Sequence, residues 1–142
     1  MKTRILSNTE MREFNANMAV SFDYNDVAAA STGVAVNGIS VLAGTKVQVV
    51  GMVLNTAFDI TGTGALAVTV GDGGSATALQ ASTVIAADGT EILWHVGGSA
   101  KVYLVDDTVD WFFTDATSMA YTSGKVTFYL NVANLNELPV PV

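Results

Sequence analysis

From Met18 to Tyr24 the chain alternates, with Met18, Val20, Phe22 and Tyr24 interleaved by Ala19, Ser21 and Asp23. That period of two is the mark of a strand with one face in a core. Asn25-Asp26 then opens a turn or a single helical turn through Ala28 to Ala30, and a second strand is predicted from Gly33 to Val41. Its apolar positions, Val34, Val36, Ile39 and Val41, change phase at Asn37-Gly38, which predicts a bulge. After the turn Ala43-Gly44-Thr45, the stretch Lys46 to Asn55 has too little alternation to leave one face in water. It reads as a central strand covered on both sides. A loop over Asp59 to Gly64 follows, and Ala65 to Val70 is expected to pair back as the next strand before the Gly71-Asp72-Gly73-Gly74 corner, whose glycines reach positive φ at little cost.

The pattern weakens from Ser75 to Glu91, where a short strand over Ser82 to Ile85 and a turn at Asp88-Gly89 are expected. Four strands then follow over Glu91 to Val96, Lys101 to Val105, Thr108 to Thr114 and Gly124 to Val132. Eight or nine short strands, with turns about every 8 to 12 residues and no amphipathic helix in the body of the chain, predict an all-β fold. The expected architecture is a single β-sandwich of jelly-roll type over residues 18 to 133. Residues 1 to 17 are read as an N-terminal arm or short helix. Ser7 or Asn8 would cap the helix with Glu10 in its first turn, whereas an extended arm would order only against a partner, because Ile5, Leu6, Met11 and Phe14 are too few to fold alone. Residues 134 to 142 hold both prolines, Pro139 and Pro141, and read as an exposed strap.

Composition narrows the function. The 142 residues suffice for one domain, and Val, Ala, Leu and Ile mixed with Gly and Thr suit pleated sheets. Thirteen acidic groups against six basic ones give a net charge of −7, which argues against nucleic acid as a partner. Only 13% of residues are charged, about half the usual share, so much of the surface is neutral and suited to packing against neighbours. The chain has no cysteine, which excludes disulfides and thiolate metal sites. The first residues lack the apolar core of a signal peptide, so no secretory leader is expected. The apolar run Val47 to Leu54 is far shorter than the ~20 residues that span a bilayer, and no membrane association is expected.

Candidate chemistry is sparse. Asp106, Asp107 and Asp110, with Asp115 nearby, offer oxygen ligands for Ca²⁺, yet their spacing fits no EF-hand loop and a solvated turn is the preferred reading. The single His95 has no second histidine or cysteine for zinc, and a general base would need a partner beside it. A glycosidase pair among the thirteen carboxylates would not show in sequence spacing. Gly71-Asp72-Gly73-Gly74 lacks the Lys-Ser/Thr ending and the helix of a phosphate loop and reads as a turn. Trp94, Tyr103, Trp111, Phe112 and Phe113 would suit a sugar-binding face, but core or subunit-interface use is preferred. The run Trp111-Phe112-Phe113 puts rings on both faces of one strand, so at least one is expected to be exposed or at an interface.

The segments FDYNDVAAAST (22 to 32), VLAGTKVQVVGMVLNTAFD (41 to 59) and ALAVTVGDGG (65 to 74) together resemble small virion proteins of tailed phages, the capsid-decorating or head-associated β-proteins. The likeness covers roughly residues 18 to 130 and lies in rhythm: an Ala-Gly turn, a Val-rich strand ending in Thr56-Ala57-Phe58-Asp59, and a strand ending in Val70-Gly71-Asp72. The resemblance implies a protein without enzymatic activity or cofactor that is made in the host cytoplasm and carried on the capsid surface of the virion. Its implied partners are the major capsid protein and further copies of itself, a trimer being the first expectation. Candidate interface residues are Ile5, Leu6, Met11 and Phe14 in the arm, Trp111 and Phe113 in the aromatic strand, and Leu138 and Val140 in the tail. A neck or tail component is the alternative within virions. A carbohydrate-binding or adhesin module is the alternative outside them, and an enzyme with clustered carboxylates comes third.

Overall fold

In the computed structural model, residues 1–29, 34–58, 65–87, 95–96, 98–115 and 122–137 are described. Ten strands are formed among them: β1 (Lys2–Ile5), β2 (Met18–Asp23), β3 (Ala35–Val41), β4 (Thr45–Thr56), β5 (Ala65–Asp72), β6 (Gln80–Ala87), β7 (His95–Val96), β8 (Ala100–Val102), β9 (Asp107–Asp115) and β10 (Lys125–Asn134). Two short helices, α1 (Asn8–Phe14) and α2 (Tyr24–Ala29), and a closing 3₁₀ turn (Leu135–Glu137) complete the set.

The strands form two antiparallel sheets. One runs β1-β2-β10-β4, with β7 and β8 both paired to the far side of β4, and the other runs β3-β9-β5-β6. The chain crosses between sheets after β2, β3, β4, β6, β8 and β9, which is the winding of a jelly roll. One expectation fails here. β5 does not pair back on β4 but joins β9 and β6 in the opposite sheet. Both edges of β4 are already hydrogen-bonded, one by β10 and the other by β7 and β8, so no place remains for β5 beside it.

The sheets meet through aromatic rings. Phe22 of β2 lies 5.4 Å from Trp111 and 5.2 Å from Phe113 of β9, and Phe128 of β10 lies 5.9 Å from Trp111. Around them pack Val20, Val47, Val49, Met52 and Leu130 from one sheet and Leu66, Val68, Val70, Ile85 and Val109 from the other. Trp111 is 0% exposed and Phe113 2%, so neither is an interface residue. The physical reason is position: β9 is interior to its sheet, between β3 and β5, and residues two apart share the face turned to the core. The odd ring out is Phe112, on the opposite face and half-buried.

Along β4 the inward set is Val47 and Val49, then Met52, with Val50 and Val53 turned outward. The pairing register with β10 shifts between Tyr129 and Leu130, opposite Gly51 and Val49, and this bulge reverses the phase. The missing alternation thus has two sources, the bulge and a covered outer face. That cover is the N-terminal segment: Leu6 and Ala16, which flank α1, join Ala19 and Tyr129 in a second apolar cluster to which Met11 of α1, Val50 and Val53 add.

Residues 1 to 17 are therefore part of the sandwich, not a free arm. Lys2–Ile5 pairs with Ser21–Met18, and α1 begins with a capping box in which Glu10 N–H donates to Ser7 Oγ and Ser7 N–H to Glu10 Oε2 at 3.0 Å. Arg4 donates to both oxygens of Glu10, at 2.9 and 2.7 Å, and with the Ser7 N–H draws that carboxyl down to about 2. Asn17 then closes the segment by holding both the N–H and C=O of Val132, at 2.9 and 2.7 Å. At the other end β10 runs to Asn134, one residue into the expected tail.

A core assignment for Trp111 has a measurable cost. Trp111→Ala is expected to lower unfolding free energy by about 3–5 kcal/mol, read as a shift in urea midpoint, whereas an interface ring would leave the midpoint in place.

Candidate interaction surface

The end of the sandwich where β5 turns into β6 is organised by one buried carboxylate. Asp72 is 3% exposed. Its Oδ1 accepts from the N–H groups of Gly74 and Ser75, both at 3.0 Å, and its Oδ2 accepts from Lys101 Nζ at 2.5 Å and Tyr103 Oη at 3.4 Å. Burial works to raise the Asp72 pKa, but Lys101 and the two backbone N–H groups outweigh it and hold the carboxyl below its usual range. The Tyr103 hydroxyl is pushed well up, by burial first and then by the charge of Asp72. The effect is to tie the β5–β6 turn to β8.

Tyr103 carries the tie onward. Its N–H donates to Thr45 C=O at 2.9 Å and its C=O accepts from Gly44 N–H at 2.7 Å, fixing the β3–β4 turn against the β8–β9 loop. Ala43 N–H donates to Asp106 Oδ1 at 2.9 Å, while Leu135 N–H donates to Gly44 C=O at 2.9 Å and Asn136 Nδ2 to Ala43 C=O at 3.2 Å. Gly44 sits at φ +85°, and a Cβ there would run into the Asn136 side chain, so both backbone and space require glycine.

Three segments distant in sequence are thus stitched into one rigid end, and their outward side chains are apolar. Leu104 is 86% exposed, Val105 69%, Leu42 64%, and Val102 and Leu135 are exposed as well. Five of the eight large exposed apolar side chains among the described residues gather here, which marks a contact surface more than chance scatter. Asp106 and Asp107 rim it. Alongside, Lys46, Gln48, Asn131, Ala133 and Leu135 line a recess of about 240 Å³, whose amide and ammonium groups offer hydrogen bonds.

The residues anticipated from sequence fall in different places. Ile5 is 78% exposed on β1, as a contact residue must be, but Leu6 is buried just before α1 and Met11 half-buried within it, where they serve the fold. Phe14 ends α1. Leu138, Val140 and Trp94 lie outside the described residues, and His95 lies in β7. Asp106, Asp107 and Asp110 are spent separately: on Ala43 N–H, on the Gly73 and Thr108 N–H groups, and on the Thr108 hydroxyl. Among the described residues no three carboxylate or imidazole groups are grouped to hold a metal ion. Tyr103, Trp111 and Phe113 are all buried, so they form no sugar-stacking platform. Sequence reading missed Leu42, Leu104, Val105 and the carboxylate of Asp72. The one available signal was Tyr103-Leu104-Val105, an apolar run longer than its strand could bury.

Among the described residues, no helix is long and apolar enough to cross a membrane. Comparison of the chain with protein-family models, with curated proteins and with solved structures finds no match in any of the three.

Two outcomes follow for this end. Because the folded pKa of Asp72 lies below its unfolded value of about 3.9, its stabilisation is complete above that value and is lost as pH falls through the folded one. Asp72→Asn should cost about 1–3 kcal/mol at pH 7 and flatten the decline in melting temperature below about pH 4. Gly44→Ala should cost about 1–3 kcal/mol through positive φ alone, measured by chemical denaturation, and more if Asn136 cannot move aside.

Proposed function

We propose that this protein is a phage virion structural protein that binds the outer surface of the capsid in many copies and stabilises it, with the major capsid protein as its partner. The observation that carries this reading is the rigid apolar end built from Leu42, Leu104 and Val105 on a jelly roll of low surface charge. The resemblance of residues 22 to 74 to capsid-decorating β-proteins supports the same role. Fold alone does not carry it, since jelly rolls serve many functions.

Magnitudes favour a protein that acts in numbers. Burying five aliphatic side chains yields at most roughly 8–15 kcal/mol, and association itself costs about 4–15 kcal/mol in lost freedom. One such contact is weak. Repeated by symmetry across a shell it becomes strong, because each further contact is made at high effective concentration. The sugar-binding reading is disfavoured by the burial of Tyr103, Trp111 and Phe113.

Quantitative mass spectrometry of purified particles tests the proposal. Hundreds of copies per particle are expected relative to the major capsid protein. About a dozen would move the protein to the neck or tail, and absence from particles would overturn the virion role.

A further inference from the structure

The N-terminal segment covers the outer face of the sheet β1-β2-β10-β4 at Val50, Val53 and Tyr129. Further along that face lies the recess of about 240 Å³ lined by Lys46, Gln48, Asn131, Ala133 and Leu135. Its shape follows from the pairing of β10 with β4. Asn131 stands opposite Gln48 and Ala133 opposite Lys46, so the four side chains share one face at neighbouring positions. The short Ala133 leaves the floor low. Leu135 forms a wall where the chain turns off β10, and its N–H is fixed on Gly44 C=O at 2.9 Å.

The polar groups of this recess are unused. Nearby, Asn17 is spent on Val132, Asn134 on the Asn136 N–H and Asn136 on Ala43 C=O. Gln48 and Asn131 are half-buried side by side, yet neither amide bonds to the other or to any further described residue. Lys46 has no ion pair among the described residues. Half-buried amides are normally paired, so two free ones beside a free ammonium mark a place built to receive something.

We infer that the recess binds a carboxylate, and that its source is an Asp or Glu side chain of the protein that covers the adjoining apolar end. The Lys46 ammonium and the amide N–H groups of Gln48 and Asn131 are three donors for the lone pairs of one carboxylate. One ammonium balances one charge, which suits a carboxylate and not the nearly double charge of a phosphate. No aromatic ring lines the recess to stack on a sugar. Its volume also falls below the roughly 300–1,000 Å³ of a pocket for a free ligand, which leaves a single side chain as the fit. Val102 stands opposite Lys46 on β8 and, with Leu135, belongs to the apolar patch as well. A partner segment can thus set an acid in the recess and apolar side chains on the end. Asp106 and Asp107 are turned to the N–H groups of Ala43, Gly73 and Thr108, and no carboxylate lines the recess. Naming the capsid protein as the source rests on the role proposed above; the choice of a carboxylate does not.

The side-chain amide signals of Gln48 and Asn131 in NMR spectra of the full chain test the site, with propionate, the end of a glutamate side chain, as probe. At constant ionic strength propionate should shift both signals and saturate in the millimolar range, whereas propionamide, of the same shape without the charge, should not. Lys46 is exposed, so Lys46→Met should keep the melting temperature and weaken binding about tenfold to a hundredfold. Lys2→Met, on the opposite edge of the sheet, should leave binding unchanged. Shifts that do not saturate, equal shifts with propionamide, or equal losses in the two variants overturn the site. On particles, Lys46→Met should lower attachment by a similar factor, and normal attachment overturns the partner as the source of the carboxylate. Propionate binding with no copies on particles would sink the capsid role and leave the site standing; hundreds of copies without propionate binding would do the reverse.

Discussion

The contact of Phe22 and Phe128 with Trp111 and Phe113 is what makes two sheets into one body. Rings of this size at the centre set the distance between sheets, and the aliphatic side chains around them fill what that distance leaves. Every connection that crosses from one sheet to the other depends on that spacing. The indole N–H of Trp111, like Gln80 Oε1, has no hydrogen-bond partner among the described atoms, so the core leaves that donor unsatisfied in exchange for the bulk of the ring.

Beyond the core, buried polar groups tie one end of the molecule together. Asp72 holds a turn, a lysine and a tyrosine at once, and Tyr103 passes that order to the β3–β4 turn through two backbone hydrogen bonds. Leu42 and Leu104 are exposed on backbone that is fixed from below. A surface prepared in this way loses little conformational entropy on contact, which is the advantage of a preorganised patch over a flexible loop.

Much of this was legible in the residues and some was not. β2 showed itself through strict alternation, and the bulge of β3 through the phase change at Asn37-Gly38, where the structure has its register shift. The helical option for the N-terminal segment carried its own signature in Ser7 and Glu10. Strand pairing was less visible: nothing within Ala65 to Val70 says which sheet it enters, because that depends on how β10 fills the edge of β4 from 69 to 89 residues away in the chain. The same non-locality hid the contact surface. Leu42, Leu104 and Leu135 are ordinary loop residues until hydrogen bonds between distant turns bring them together. Trp111 and Phe113 were misplaced because a run of three rings shows that one faces outward without showing which.

The place of β10 has a kinetic consequence. The last strand among the described residues is inserted in mid-sheet between β2 and β4, with Val126 opposite Phe22 and Asn17 bonded to Val132, 115 residues away. Until that strand arrives, β2 and β4 each present an unfilled hydrogen-bonding edge to solvent. Pairings of such long range make folding slow, on the millisecond-to-second scale typical of non-local β-topologies, and a ribosome must synthesise through Asn134 before the sheet can close. During synthesis the growing chain thus carries two open edges, the feature that invites misassembly with other nascent copies, and high-level production becomes a contest between insertion of β10 and aggregation.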